Sequence, residues 1–193
     1  MRLEDMKGLD PKTLRHGSQI LIRASGEKYL NGFSDIFSIL TREEGSRGVL
    51  LSTLWSANAL SRRIAMSKLP RGSLKVVDTI SLSLGSKVTG GEEFIFLPTP
   101  SPLEYILVEI ERLIKDQGKD INFLILDSLT FLERYYTLGQ LSEFFHYLLN
   151  RMLEEEITVI VFDQSQDPDT GIGGQLSSIM DKTVEIGKEV KEK

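Results

Sequence analysis

The sequence predicts an α/β protein, a three-layer α/β/α sandwich with a mostly parallel central sheet. First, five short segments rich in Ile, Val, Leu and Phe have the nearly continuous hydrophobicity of strands that are buried on both faces. Second, segments of helical periodicity lie between them, which implies right-handed crossovers. Third, the 193 residues are 40% hydrophobic and include no cysteine. One filled core without disulfide bonds is therefore expected.

The predicted strands cover residues 19–24, 48–53, 74–78, 123–127 and 158–163. Each is a mostly unbroken apolar run that lacks the alternation of a half-exposed strand. Residues 182–186 are expected to add a closing edge strand. In contrast, the segment GIGGQ at 171–175 is interpreted as a flexible loop, since its glycines follow a strand without opening a clear helix.

The predicted helices cover residues 32–41, 57–69, 103–115 and 140–154. In the last two, apolar residues recur at spacings of three and four, as on the face shared by Leu141, Phe144 and Leu148. We expect a single domain over residues 1–187, followed by a charged tail at 188–193.

Composition narrows the function classes. The chain has 23 basic and 28 acidic residues and a net charge of −5, which disfavours a nucleic-acid partner. Without cysteine there is no thiolate nucleophile and no Cys-bound metal. No apolar run approaches the roughly 20 residues of a membrane helix, and the N-terminal residues lack the apolar core of a signal peptide. We expect a soluble, cytoplasmic protein whose composition suits a heat-adapted organism.

The segment INFLILDSLT, residues 121–130, carries the clearest chemical signal. A hydrophobic strand ends in Asp127, followed by Ser128. An acid at the carboxyl end of a parallel strand faces the crevice where α/β sheets bind ligands. The alternative is that Asp127 only caps the following turn.

This segment resembles the Walker B strand of the RecA superfamily, in particular the Asp-Ser-Leu form of KaiC-like, RAD-like and archaellum-accessory ATPases. HGSQILIRASG, GVLLSTLWSANALSRRIA, LKVVDTIS, FFHYLLNRMLEEEITVIVFDQ and MDKTVEIG resemble the other elements of that family, in order, over residues 16–187. The resemblance implies a RecA-like P-loop NTPase fold and an archaeal protein similar to small uncharacterised proteins of hyperthermophiles. It also implies that Asp127 would reach Mg²⁺ through water.

The phosphate-binding loop of that family is degenerate here. ILIRASGEKYLNGFSDIFSIL, residues 20–40, has its strand, turn and helix but no Gly-Lys-Ser/Thr triplet. Counted from Ala24, the triplet falls on 29–31, and counted from Gly26 it falls on 31–33. Lys28 starts the helix in neither register. The degenerate nucleotide-site positions are Ala24, Gly26, Lys28, Tyr29, Leu30, Asn31 and Gly32, with Asp127 and Ser128 on the Walker B segment.

The resemblance also identifies a missing catalytic acid. Active members place one or two glutamates after the second strand, where this chain has Leu54 and Trp55. Apolar side chains cannot activate water. The sequence therefore indicates a pseudo-ATPase that acts in regulation or protein–protein interaction, through a protein partner or self-association. No catalytic residue and no cofactor are expected.

Two alternatives stay open. In one, the protein is a weak or non-standard ATPase in which Lys28 or Arg23 replaces the missing lysine and Asp127 holds Mg²⁺, so that ATP and Mg²⁺ are disfavoured but possible cofactors. In the other, nucleic acid binds to a recombinase-like basic set of Arg15, Arg23, Arg62, Arg63, Lys68 and Arg71. Apart from Asp127 as a weak candidate, no metal ligand is expected. The aspartates at 163, 167 and 169 lack EF-hand spacing, and the histidines at 16 and 146 are too few for a His-rich site.

Overall fold

The computed structural model describes residues 17–41, 45–64, 69–70, 72–85, 91–117, 120–165 and 170–186. Seven strands lie within these ranges: β1 (Gln19–Arg23), β2 (Arg47–Ser52), β3 (Leu74–Asp78), β4 (Phe94–Phe96), β5 (Ile121–Leu126), β6 (Thr158–Asp163) and β7 (Lys182–Glu185). The helices within them are α1 (Gly26–Leu40), α2 (Ala57–Arg63), α3 (Leu103–Gln117), α4 (Leu129–Leu132), α5 (Leu138–Glu154) and α6 (Gly171–Ile179).

The strands form one sheet in the order β4-β3-β2-β5-β6-β1-β7, and every pair is parallel. The predicted α/β class and parallel sheet are confirmed, and β7 is the predicted closing edge strand. From β1 the chain crosses β6 and β5 to reach β2, whereas from β6 it crosses β1 to reach β7. The connections that follow the adjacent strands β1 and β6 therefore run in opposite directions along the sheet. Open α/β sheets form a ligand crevice at such a point.

Two hydrophobic cores cover the two faces of the sheet. Helices α1 and α2 pack on one face against side chains such as Ile22, Leu50 and Ile160. Helices α3, α5 and α6 pack on the other, against neighbours such as Leu21 and Val161. Because successive side chains of a strand point to opposite faces, the central strands contribute to both cores. None of the described helices is long and apolar enough to cross a bilayer.

Helix α1 begins at Gly26, so the prediction of a helix starting at residue 32 was wrong. Its buried face includes Tyr29 as well as Phe33, Ile36 and Phe37, and this spacing extends the amphipathic pattern one turn further back than predicted. Consequently only two residues, 24 and 25, connect β1 to α1.

The prediction that the GIGG segment is a flexible loop was also wrong, because this segment opens helix α6. Gly171 has φ of +64°, and the amide of Ile172 donates a 3.2 Å hydrogen bond to Oε1 of Glu133. A Cβ on Gly173 would lie 2.6 Å from Oδ2 of Asp163. The glycines therefore let the start of α6 approach two carboxylates closely. The short elements β4 and α4 were not predicted.

Candidate functional site

Three aspartates lie at the carboxyl ends of β3, β5 and β6, the edge of the sheet where a ligand would be expected. Asp78 ends β3, Asp127 follows β5 and Asp163 ends β6. All three are buried. Asp127 is the residue that the sequence predicts for this position, and the structure places it near the middle of the edge.

The Asp127 carboxylate is surrounded by hydrogen-bond donors of the protein itself. Oδ1 accepts from the amide of Thr53 at 2.6 Å and faces the Thr53 hydroxyl at 3.2 Å. Oδ2 lies 2.8 Å from the Ser52 hydroxyl. Complete burial raises the pKa of this carboxyl to about 6, and the hydrogen bonds from Thr53, Ser52 and the Leu54 amide oppose this rise.

Tyr29 closes the space between α1 and Asp127. Its side chain is 2% exposed, and its hydroxyl donates to the backbone carbonyl of Asp127. The ring packs edge-on against Trp55 and Phe162, with centroids 5.7 and 5.5 Å away. Burial, reinforced by the nearby Asp127, raises the pKa of the phenol, so this hydroxyl stays neutral and can donate.

Ser128 lies beside this cluster through its backbone and side chain. The Thr53 hydroxyl is 2.9 Å from the Ser128 carbonyl, and Nε2 of Gln164 donates weakly, at 3.4 Å, to the Ser128 hydroxyl. Of the predicted site positions, the structure therefore brings together Tyr29, Asp127 and Ser128.

The other predicted positions on 24–32 do not face Asp127 through any described contact. Ala24 is buried, and its amide donates to the carbonyl of Asp163. Gly32 is buried against the side chain of Ile186. On α1, Gly26, Lys28 and Asn31 are exposed and Leu30 is half-buried.

Arg23 belongs to a cluster on the opposite face of the sheet from α1. Its guanidinium lies 4.0 Å from Asp163 and 3.8 Å from Glu185, and Nη2 donates to the carbonyl of Gly173 at 3.3 Å. Asp163 also accepts from the Thr130 hydroxyl at 3.1 Å. Arg23 is thus committed to α6 and β7, on the side away from Tyr29.

Asp78, which was not predicted as a site residue, binds backbone amides near its own strand end. Its carboxylate accepts from the amide of Ala57 at 2.7 Å, at the start of α2, and from the amides of Ile80 and Ser81. The available signal was its position, since Asp78 ends a predicted strand just as Asp127 does. Both carboxylates satisfy backbone donors at loops that follow strands.

Metal and nucleic-acid features are sparse in the part of the chain that the structure describes. No group of three or more His, Asp or Glu side chains there could hold a metal ion. His146 is exposed on α5. Of the basic set, Arg62 and Arg63 are exposed at the end of α2, with the Arg63 guanidinium 4.7 Å above the Trp55 ring. Residues 15, 16, 68, 71, 167 and 169 lie outside the described ranges.

The strand order and the two layers of helices define an α/β protein with a RecA-like fold. Solved structures of two proteins from Pyrococcus horikoshii, a hyperthermophilic archaeon, share this fold. A KaiC-like protein aligns with a TM-score of 0.61 at 16% identity, covering 92% of this chain and 75% of the other. An uncharacterized protein, solved in complex with an unknown peptide, aligns with a TM-score of 0.68 at 13% identity, covering 92% and 80%. Neither protein-family models nor curated proteins gave a match to the sequence.

Proposed function

We propose that this protein is a non-catalytic RecA/KaiC-like protein that acts by contacting another protein or further copies of itself. The observation that carries the proposal is Tyr29, whose buried ring and hydroxyl take up the space between α1 and Asp127. In an active P-loop enzyme that region holds phosphate and Mg²⁺.

The connection between β1 and α1 supports the proposal. A P-loop wraps several backbone amides around phosphate oxygens before its lysine and hydroxyl begin the helix. Here two residues separate Arg23 from Gly26. Because charge-assisted contacts contribute about 1.5 to 3 kcal/mol each, loss of the lysine and the hydroxyl alone weakens nucleotide binding by several kcal/mol.

Exposed apolar side chains support a protein contact. Leu84 and Tyr105 are 64% and 63% exposed. Large apolar side chains are exposed on three segments near residues 99–101, namely Leu82, Leu84, Tyr105, Tyr135 and Leu138. Two of these segments are fastened there by hydrogen bonds, from the Thr99 amide to the Ser83 hydroxyl and from the Tyr136 hydroxyl to the Ser101 carbonyl. Exposed apolar patches are typical of interaction surfaces, and these segments are the candidates for one. The peptide in one similar structure is consistent with this mode of action.

The proposal is tested by titrating Mg-ATP while following the unfolding temperature. Ligand at one hundred times its Kd would add about 2.7 kcal/mol to the stability of the native state. We expect no shift and no phosphate release. Hydrolysis that disappears in Asp127→Asn would overturn the proposal in favour of a non-standard ATPase. In the same preparations, sedimentation of the wild type and of a Leu84→Ser, Tyr105→Ser variant tests self-association, with the exposed Leu153→Ser as the control.

A further inference from the structure

The hydroxyl of Ser52 lies between two acceptors. Its Oγ is 2.8 Å from the carbonyl oxygen of Trp55 and 2.8 Å from Oδ2 of Asp127. A serine hydroxyl has one proton to donate, so it cannot serve both oxygens. If Asp127 were ionised, one of these close, buried oxygen pairs would therefore lack a proton between its atoms.

The Thr53 hydroxyl shows the same arrangement. It lies 2.9 Å from the carbonyl of Ser128 and 3.2 Å from Oδ1 of Asp127. The shorter contact is to the carbonyl. Oδ1 already accepts from the Thr53 amide at 2.6 Å, so Asp127 does not depend on this hydroxyl. Ser52 is thus the group whose proton decides the arrangement.

We propose that Asp127 is held as a neutral carboxylic acid whose Oδ2 proton is donated to Ser52, which in turn donates to the Trp55 carbonyl, and that ionisation of Asp127 breaks this chain. Oδ2 of Asp127 would donate a hydrogen bond to Oγ of Ser52, and the Ser52 hydroxyl would donate to a backbone carbonyl in the β2–α2 connection. Each oxygen in the chain then has a partner.

Burial favours the neutral form of Asp127 more strongly than the amides of Thr53 and Leu54 favour the carboxylate. The side chain is 0% exposed, and none of the described Lys, Arg or His residues forms an ion pair with it. Burial without a cation disfavours a charged carboxylate. Consistent with this geometry, burial raises the pKa of Asp127 to about 6.

Other titratable groups face this region from each packed element. From α1 comes Tyr29, whose phenol has a raised pKa and stays neutral. From α2 comes Arg63, which lies over the Trp55 ring. From β3 comes Asp78, which binds the start of α2. The Asp163 carboxylate of β6 lies with Arg23 on the other face of the sheet and does not face this region.

Ionisation of Asp127 would act on Trp55. A carboxylate needs the Ser52 proton, and the Trp55 carbonyl then loses its donor. A buried carbonyl without a partner destabilises the segment that carries it, here residues 53–56 between β2 and α2. Because the pKa of Asp127 is raised in the folded protein, its protonated form stabilises the fold. This stabilisation is fully present below the ordinary pKa of aspartate and is lost as pH rises through about 6.

The chain contains one tryptophan, so its fluorescence reports this segment directly. We expect the emission of the wild type to change with a midpoint near the pKa of Asp127, about 6, in a titration from about pH 4.5 to about pH 8. Asp127→Asn should show no transition. A His16→Gln, His146→Gln variant is the matched control, because histidine titrates in the same interval, and it should keep the transition.

A flat wild-type titration, a transition that persists in Asp127→Asn, or its loss in the histidine variant would overturn the proposal. If Asp127→Asn does not fold, infrared spectra of the wild type replace it. A protonated carboxylic acid has its own carbonyl stretch. That band should titrate with the same midpoint and shift to higher frequency in Ser52→Ala, which removes its hydrogen-bond acceptor. Absence of such a band contradicts the neutral acid.

Discussion

At the scale of single residues, Tyr29 links three parts of the molecule. It belongs to α1, it packs on Trp55 from the β2–α2 connection, and its hydroxyl binds the backbone just after β5. Full burial of a side chain of this size contributes roughly 1.5 to 3 kcal/mol to stability. Its hydroxyl must also find a partner when buried, and the carbonyl of Asp127 is that partner.

Replacing Tyr29 by Phe should lower the free energy of unfolding by about 1 to 2 kcal/mol, because the buried carbonyl of Asp127 loses its donor. Urea denaturation measures this difference. The matched control is Tyr147→Phe. That hydroxyl also binds a partner, Glu111, but the side chain is exposed and water can replace the bond. Equal losses in the two variants would show that the Tyr29 hydroxyl makes no special contribution.

At the scale of elements, α6 depends on two glycines and two carboxylates. Glu133 accepts a hydrogen bond from the amide of Ile172 in the first turn, and Oδ2 of Asp163 lies 2.6 Å from the position that a Cβ on Gly173 would take. A carboxylate near a helix N-terminus is stabilising because of the unpaired amides and the helix dipole. The close approach fixes α6 over the ends of β1 and β6.

Gly173→Ala should destabilise the protein by about 1 to 3 kcal/mol, because the added methyl group displaces the Asp163 carboxylate. Gly139→Ala on α5 is the control. A Cβ there meets nothing within 4 Å, so this change should be neutral or stabilise by up to about 1 kcal/mol through helix propensity. Thermal unfolding of both variants distinguishes the contact from helix propensity alone. A neutral Gly173→Ala would contradict the close approach.

The elements that the sequence predicted well are the ones defined by local hydrophobicity. The long apolar runs predicted all five inner strands within two residues of their observed bounds. The start of α1 was misplaced because GEKYLNG has turn-forming glycines, and the packing of Tyr29 on Trp55 and Phe162 is a tertiary contact that the local sequence does not reveal. Similarly, α6 depends on carboxylates from distant segments, and β4 has only three residues.

The same distinction holds for the candidate site. The position of Asp127 at a strand end was predictable from a single segment. Its partners were not, since Ser52 and Thr53 are 75 and 74 positions away and Tyr29 is 98 positions away. The strand order decides which distant donors lie beside a buried carboxylate. That order cannot be derived from the hydrophobic pattern of a single sequence.

At the scale of the whole molecule, the two cores share their central strands. Leu50 and Leu51 of β2 point to opposite faces and enter different cores, and β5 and β6 do the same with neighbouring residues. Loss of one core would expose the inner face of every central strand. The two layers of helices are therefore coupled through the sheet.

We expect the described domain to unfold in one cooperative transition. Trp55 fluorescence reports the core beneath α1 and α2, whereas far-ultraviolet circular dichroism reports the helices of both layers, including α3 and α5 on the other face. The midpoints of the two signals in a urea titration should coincide, as for a two-state domain. Separate midpoints would show that the layers unfold independently.

The short link from Arg23 to Gly26 limits what protein engineering can achieve with this chain. Substituting lysine and threonine into α1 would supply the side chains of a nucleotide-binding enzyme but not the length of main chain that must curl around the triphosphate. Any attempt to install turnover would have to add residues after Ala24 and, at the same time, remove the Tyr29 ring.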